Sequence, residues 1–100
     1  MKKYELVPTD SMYRIRALKD FSDVKAGDLG GFVEHESNLS QNGDCWVYDD
    51  AKVHGYARVY GDAKVSDYAV IYSHARVCGN ARIFGNVSVF GDGEITGVMS

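Results

Sequence analysis

From Cys45 onward the chain repeats itself every six residues. Set in blocks, CWVYDD, AKVHGY, ARVYGD, AKVSDY, AVIYSH, ARVCGN, ARIFGN, VSVFGD and GEITG keep one β-branched aliphatic column unbroken: Val47, Val53, Val59, Val65, Ile71, Val77, Ile83, Val89 and Ile95. Two places earlier stand Cys45, an alanine in each block from Ala51 to Ala81, then Val87 and Gly93. Alternate side chains of a strand point to opposite faces, so these two columns share one face and Lys52 and His54 share the other. An apolar set at strict period six does not line one stripe of a 3.6-residue helix, and Val, Ile and Gly are poor helix fillers.

Two places after the aliphatic column come Asp49, Gly55, Gly61, Asp67, Ser73, Gly79, Gly85, Gly91 and Gly97. These residue types tolerate positive φ and turn a corner. Six residues make one side and three sides close a triangular coil of eighteen, with the Ala and Val columns filling a narrow bore. Successive coils pair at about 4.8 Å and satisfy one another's backbone groups. Each aliphatic side chain contributes about 1.5–3 kcal/mol when fully buried, before chain entropy is subtracted. The predicted fold is all-β: a parallel β-helix of about three coils over residues 39–100.

Residues 1–38 do not follow the repeat. Lys3–Leu6 and Tyr13–Leu18 read as short strands joined by a turn at Val7–Ser11, and Asp28–Val33 reads as a loop entering a strand. An open solenoid end exposes apolar side chains and unpaired backbone, so this segment is expected to be an N-terminal β-hairpin and loop cap. Only Thr96–Ser100 follows Ile95, with two apolar side chains. So thin a cover predicts a homo-oligomer, dimer or trimer.

One hundred residues make one domain, and the formal charge of -3 argues against nucleic acid as a general partner. Cys45 and Cys78 lack CxxC spacing and read as reduced thiols of a cytoplasmic protein. The N-terminus has no apolar signal core and no stretch is long enough to span a membrane.

The Val/Ile column from Val53 to Ile95 and the Ala column from Ala51 to Ala81 resemble the hexapeptide-repeat family, although here Gly55, Gly61, Gly79, Gly85 and Gly91 sit one place later than the usual glycine. That resemblance implies a left-handed β-helix and, commonly, a trimer. The run from Leu18 to Val53 is similar to the opening of YdcK-type hexapeptide proteins of bacteria and prophages. The match is carried by Asp23–Gly27, Gly30-Gly31, Leu39–Gln41 and Gly43–Trp46. Members are commonly labelled acyltransferases because of the fold, and fold alone is a weak warrant for chemistry.

Acyl transfer on that fold implies a histidine base, a coenzyme A groove between subunits and an extruded loop. The hexads run unbroken from Cys45, and neither His54 nor His74, the two candidate bases, is flanked in sequence by an orienting carboxylate. His54 and His74 are also off the eighteen-residue register for a shared metal. No catalytic residue, cofactor or metal is therefore assigned.

Stacking every eighteen residues sorts the outward positions into three faces. The first carries Lys52, His54, Val70, Tyr72, Ser88 and Phe90, and the group Val70, Tyr72 and Phe90 is predicted to mediate self-association. The second carries Arg58, Tyr60, Arg76, Cys78, Glu94 and Thr96. The third carries Trp46, Tyr48, Lys64, Ser66, Arg82 and Phe84. Their interleaved bases and aromatics (Arg58, Tyr60 and Arg76; Trp46, Tyr48, Lys64, Arg82 and Phe84) are predicted to bind a partner with an acidic surface or a phosphate. The expected function is a non-enzymatic, oligomeric binding protein of phage or prophage origin that occupies a host macromolecule, such as a defence component. A minimal acyltransferase and a purely structural assembly protein are the alternatives.

Overall fold

The computed structural model describes residues 1–100 and is built of strands, with a single 3₁₀ turn. Strands β1 (Tyr4–Pro8), β2 (Tyr13–Ala17) and β3 (Leu29–Val33) form the head, and the 3₁₀ turn follows at Glu36–Asn38. Ten two-residue strands complete the chain: β4 (Trp46–Val47), β5 (Lys52–Val53), β6 (Arg58–Val59), β7 (Lys64–Val65), β8 (Val70–Ile71), β9 (Arg76–Val77), β10 (Arg82–Ile83), β11 (Ser88–Val89), β12 (Glu94–Ile95) and β13 (Val98–Met99). They stack into three parallel sheets, one per side of the coil.

The eighteen-residue register holds through the middle of the molecule, where Lys52 pairs Val70 and then Ser88, Arg58 pairs Arg76, and Trp46 pairs Lys64. It breaks at both ends. Phe32 pairs Lys52 and Leu39 bridges Val59, a step of twenty, because the corner from Ser40 to Asp44 is two residues longer than the others. Arg82 pairs Val98, a step of sixteen.

The head does more than cap. β3 lies antiparallel to β2 on one edge and parallel to β5 on the other, so it is both cap strand and first rung. Parallel stacking therefore begins ahead of residue 39, and the coils number about four rather than three. Gly30 and Gly31 permit this. A Cβ at Gly30 would stand 2.5 Å from the Val47 carbonyl oxygen, and one at Gly31 would stand 2.5 Å from that of Ala51. No side chain fits there without moving backbone.

The bore is filled as the columns predict: every alanine of the Ala column from Ala51 to Ala81 and every member of the aliphatic column from Val47 to Ile83 is buried. Cover thins toward the last rungs, where Val87 and Ile95 are only partly buried. Corners hold positive φ at glycine (Gly61, 69°) and at polar residues (Asp49, 58°; Asp67, 61°) alike. The corner acids are occupied by backbone: Asp49 accepts from the Asp67 amide at 3.1 Å, and Asp67 accepts from the Gly85 amide at 2.8 Å. Each such bond ties one coil to the next.

Candidate functional site

The head decides which outward positions are available. It is anchored by buried polar groups. Asn38, fully buried, accepts from the Glu34 and His35 amides and donates to the Gly55 and Ala57 carbonyls, replacing ladder bonds that the 3₁₀ turn leaves unmade. Gln41 accepts from the Lys3 and Tyr4 amides, and the Tyr4 hydroxyl donates to the Leu39 carbonyl. The Lys3 ammonium is enclosed, donating to the Cys45 carbonyl at 2.7 Å and the Gly43 carbonyl at 3.1 Å; burial pulls its pKa down, with the Cys45 sulfur opposing. Burial likewise pushes the Cys45 thiol up. The residues that carry the family likeness in this stretch are thus joints between head and solenoid.

On the third face this corrects one assignment. Trp46 occupies the outward position that the periodicity gives it, yet it is only 1% exposed. Phe21 and Tyr4 pack edge-on against its ring, with centroids at 5.2 and 6.1 Å. The head folds over it, so Trp46 cannot touch a partner. Tyr48 and Lys64 are partly claimed by the same cover. Tyr48 donates to Asp23 at 2.7 Å, while Lys64 donates to the Tyr48 hydroxyl at 3.1 Å and to Ser22 at 3.0 Å. The Tyr48 hydrogen bond holds the Asp23 carboxyl below the usual carboxylate range; burial, ahead of that bond, raises the pKa of Tyr48 itself. Arg82 and Phe84 lie past the cover and are exposed.

The second face is open and basic. Arg58 and Arg76 are direct neighbours across β6 and β9. Beside them the 3₁₀ turn stands off the sheet and leaves a groove of about 550 Å³, walled by Glu36, Ser37 and Gln41 and floored by Arg58, Tyr60 and Arg76. The Arg58 side chain makes no hydrogen bond or ion pair, and Arg76 meets Glu94 only at 3.9 Å. Tyr60 donates to Glu94 at 3.3 Å, and its pKa is pushed up to about 12 by the neighbouring Cys78 thiol first and Glu94 after it. Cys78, outward by periodicity, is only 7% exposed, so this free cysteine presents no accessible thiol on this face.

On the first face, His54, Tyr72 and Phe90 form a continuous ladder. His54 and Tyr72 stack at 5.3 Å with planes 2° apart, and Tyr72 and Phe90 stack at 5.3 Å with planes 20° apart. Val70 and Tyr72 are partly buried, whereas Phe90 is 63% exposed. At the adjoining corner His74 stacks on Tyr56 at 4.9 Å. Neither His54 nor His74 makes a side-chain hydrogen bond or ion pair. The Tyr56–His74 pair was legible as a register match, since the two stand eighteen residues apart in one corner column.

A closed bore of hexads, a head stitched onto the first coil and three patterned outer faces define a hexapeptide-repeat β-solenoid. The YdcK β-solenoid repeat matches residues 75–91. A curated relative, "Uncharacterized acetyltransferase YdcK" of Escherichia coli (strain K12), is 45% identical over 40 residues, which is 40% of this chain and 12% of that relative's length. Over these stretches the chain is similar to YdcK, and it spans about an eighth of that relative's length.

Proposed function

We propose that this solenoid is a non-enzymatic binding protein that self-associates through its first face and takes a protein partner on the uncovered parts of its second and third faces. The observation that carries the reading is the His54–Tyr72–Phe90 ladder together with the Arg58–Arg76 column, whose one ion pair is Arg76 with Glu94 at 3.9 Å: preformed rows of aromatic and cationic side chains on a rigid backbone. Aromatics and arginine are the residues that anchor interfaces, and a rigid scaffold keeps the ordering cost of binding low. The first face contacts a second copy through Val70, Tyr72 and Phe90. Arg58, Tyr60, Arg76, Arg82 and Phe84 remain for the partner, with Tyr48 and Lys64 at the edge of the cover. Taking up the phage or prophage origin that the resemblance of Leu18–Val53 implies, we favour a macromolecule of the bacterial host, such as a defence component, as the class of partner.

Light scattering on the wild type and on Tyr72→Glu/Phe90→Glu tests the self-association. A discrete oligomer that dissociates in the double variant supports the reading, and an unchanged mass removes the first face from it. The relative's name favours a second reading, acyl transfer with His54 or His74 as base. Acetyl-coenzyme A binding that disappears in His54→Ala or His74→Ala would replace the binding-protein reading with that one.

A further inference from the structure

We infer that the groove between the 3₁₀ turn and the second face receives an extended acidic segment of the partner protein, its carboxylates bridging Arg58 and Arg76; this rests on the binding-protein reading above. Like charges directly opposite in neighbouring strands are destabilising, and here they lie at about the 4.8 Å rung spacing with no carboxylate beside Arg58. The acid within the groove does not serve. Glu36 is bound by Lys2 at 3.2 Å and Gln41 at 3.1 Å, and the Lys2 bond, then that of Gln41, holds its pKa low. Planar guanidinium forks match carboxylates two bonds at a time. Shape then selects the occupant. A second hollow of about 260 Å³ shares Ser37, Arg58 and Arg76 with the groove and ends at the Tyr56–His74 stack. Together the two hollows form a trough with the arginines mid-floor, Tyr60 on one flank and the aromatic stack on the other. An extended chain fits a trough, and a single small anion would fill only its middle.

The test is fluorescence anisotropy with a labelled dodecapeptide of alternating glutamate and serine, and with its glutamine counterpart, at low and physiological salt. The wild type should bind the acidic peptide saturably, the glutamine peptide much more weakly, and binding should weaken as salt is raised. Arg58→Ala/Arg76→Ala should lose about tenfold or more in affinity, while Lys19→Ala/Lys25→Ala, at exposed lysines of the head outside every face assigned to a partner, should keep it; Lys64→Ala/Arg82→Ala reports whether the third face contributes. The arginine pair and the head lysines are exposed, and thermal melts of all the samples verify that each fold survives. Loss in the Lys64/Arg82 pair alone would overturn the groove assignment yet leave partner binding on the third face. Inorganic phosphate that displaces the peptide stoichiometrically at low concentration would overturn the peptide in favour of a small phosphorylated ligand. Absence of wild-type binding would overturn the acidic segment, while the oligomer measurement judges the wider reading separately.

Discussion

Trp46, Lys64 and Arg82 occupy one column on one sheet, separated only by rungs, and their circumstances differ completely. Trp46 is sealed under Tyr4 and Phe21, Lys64 is half-claimed by Ser22 and Tyr48, and Arg82 stands in solvent with no partner. The repeat makes the three positions equivalent and the head makes them unequal. A solenoid's periodicity therefore states which way a side chain points; what lies over it is decided by sequence outside the repeat. In this molecule the covered rungs join the head to the solenoid and the bare rungs leave open surface.

The largest effect should come from comparing the covered and the bare end of this face. Trp46→Ala should cost about 3–5 kcal/mol, as for a fully buried aromatic, while Phe84→Ala on the bare rung above β13 should cost under about 1 kcal/mol. Chemical denaturation with an unchanged m-value would read both. Next is Asn38→Ala, which strips partners from two amides and two carbonyls at the head joint and should cost about 3 kcal/mol. Asp92→Ala, at an exposed corner without hydrogen bonds, should leave the midpoint within about 0.5 kcal/mol of wild type. A third contrast isolates crowding. Gly43 and Gly85 both hold positive φ, so alanine strains each; at Gly43 a methyl would also run into the Gly61 carbonyl oxygen, whereas at Gly85 nothing lies within 4 Å. Gly43→Ala should therefore be the worse of the two by about 1–3 kcal/mol, and equal melting points would mean that the first corner yields freely.

The smallest effect is acid release of the head. Asp23 and Glu36 both have folded pKa values below their ordinary 3.8 and 4.5. A lowered carboxylate stabilises the fold above its unfolded pKa, and that stability disappears as pH falls through the lower folded value. Melting temperature should thus drop as pH is lowered from about 5 toward 3, by an amount equivalent to less than about 1 kcal/mol per group because both carboxylates are solvent-screened. Asp23→Asn/Glu36→Gln should flatten that part of the profile.

The bore, the corners and the register of the middle coils were legible because each depends on residues repeating at fixed spacing: Val53 over Ile71, Gly61 at its corner, Arg58 beside Arg76. The three outward faces followed from the same arithmetic. The first rung was not legible. Gly30 and Gly31 signal a close approach, yet nothing in the order of residues tells which backbone approaches, and the two extra residues of the Ser40–Asp44 corner hide the register of Leu39 with Val59. Burial of Trp46 was out of reach for the same reason, since it depends on Tyr4 and Phe21 arriving from a segment without the repeat. The groove on the second face is likewise a product of head and solenoid together.

Trp46 is the chain's single tryptophan, so it reports on the head directly. The measurement to make is its fluorescence, as emission maximum and acrylamide quenching, in the native protein and in Asn38→Ala. A seated head predicts blue-shifted emission and little quenching in the wild type, with a red shift and easy quenching once the Asn38 joint is broken. Red-shifted, freely quenched emission in the native protein would contradict the account: the head would not be folded over the first coil, and the third face would be open from Trp46 downward.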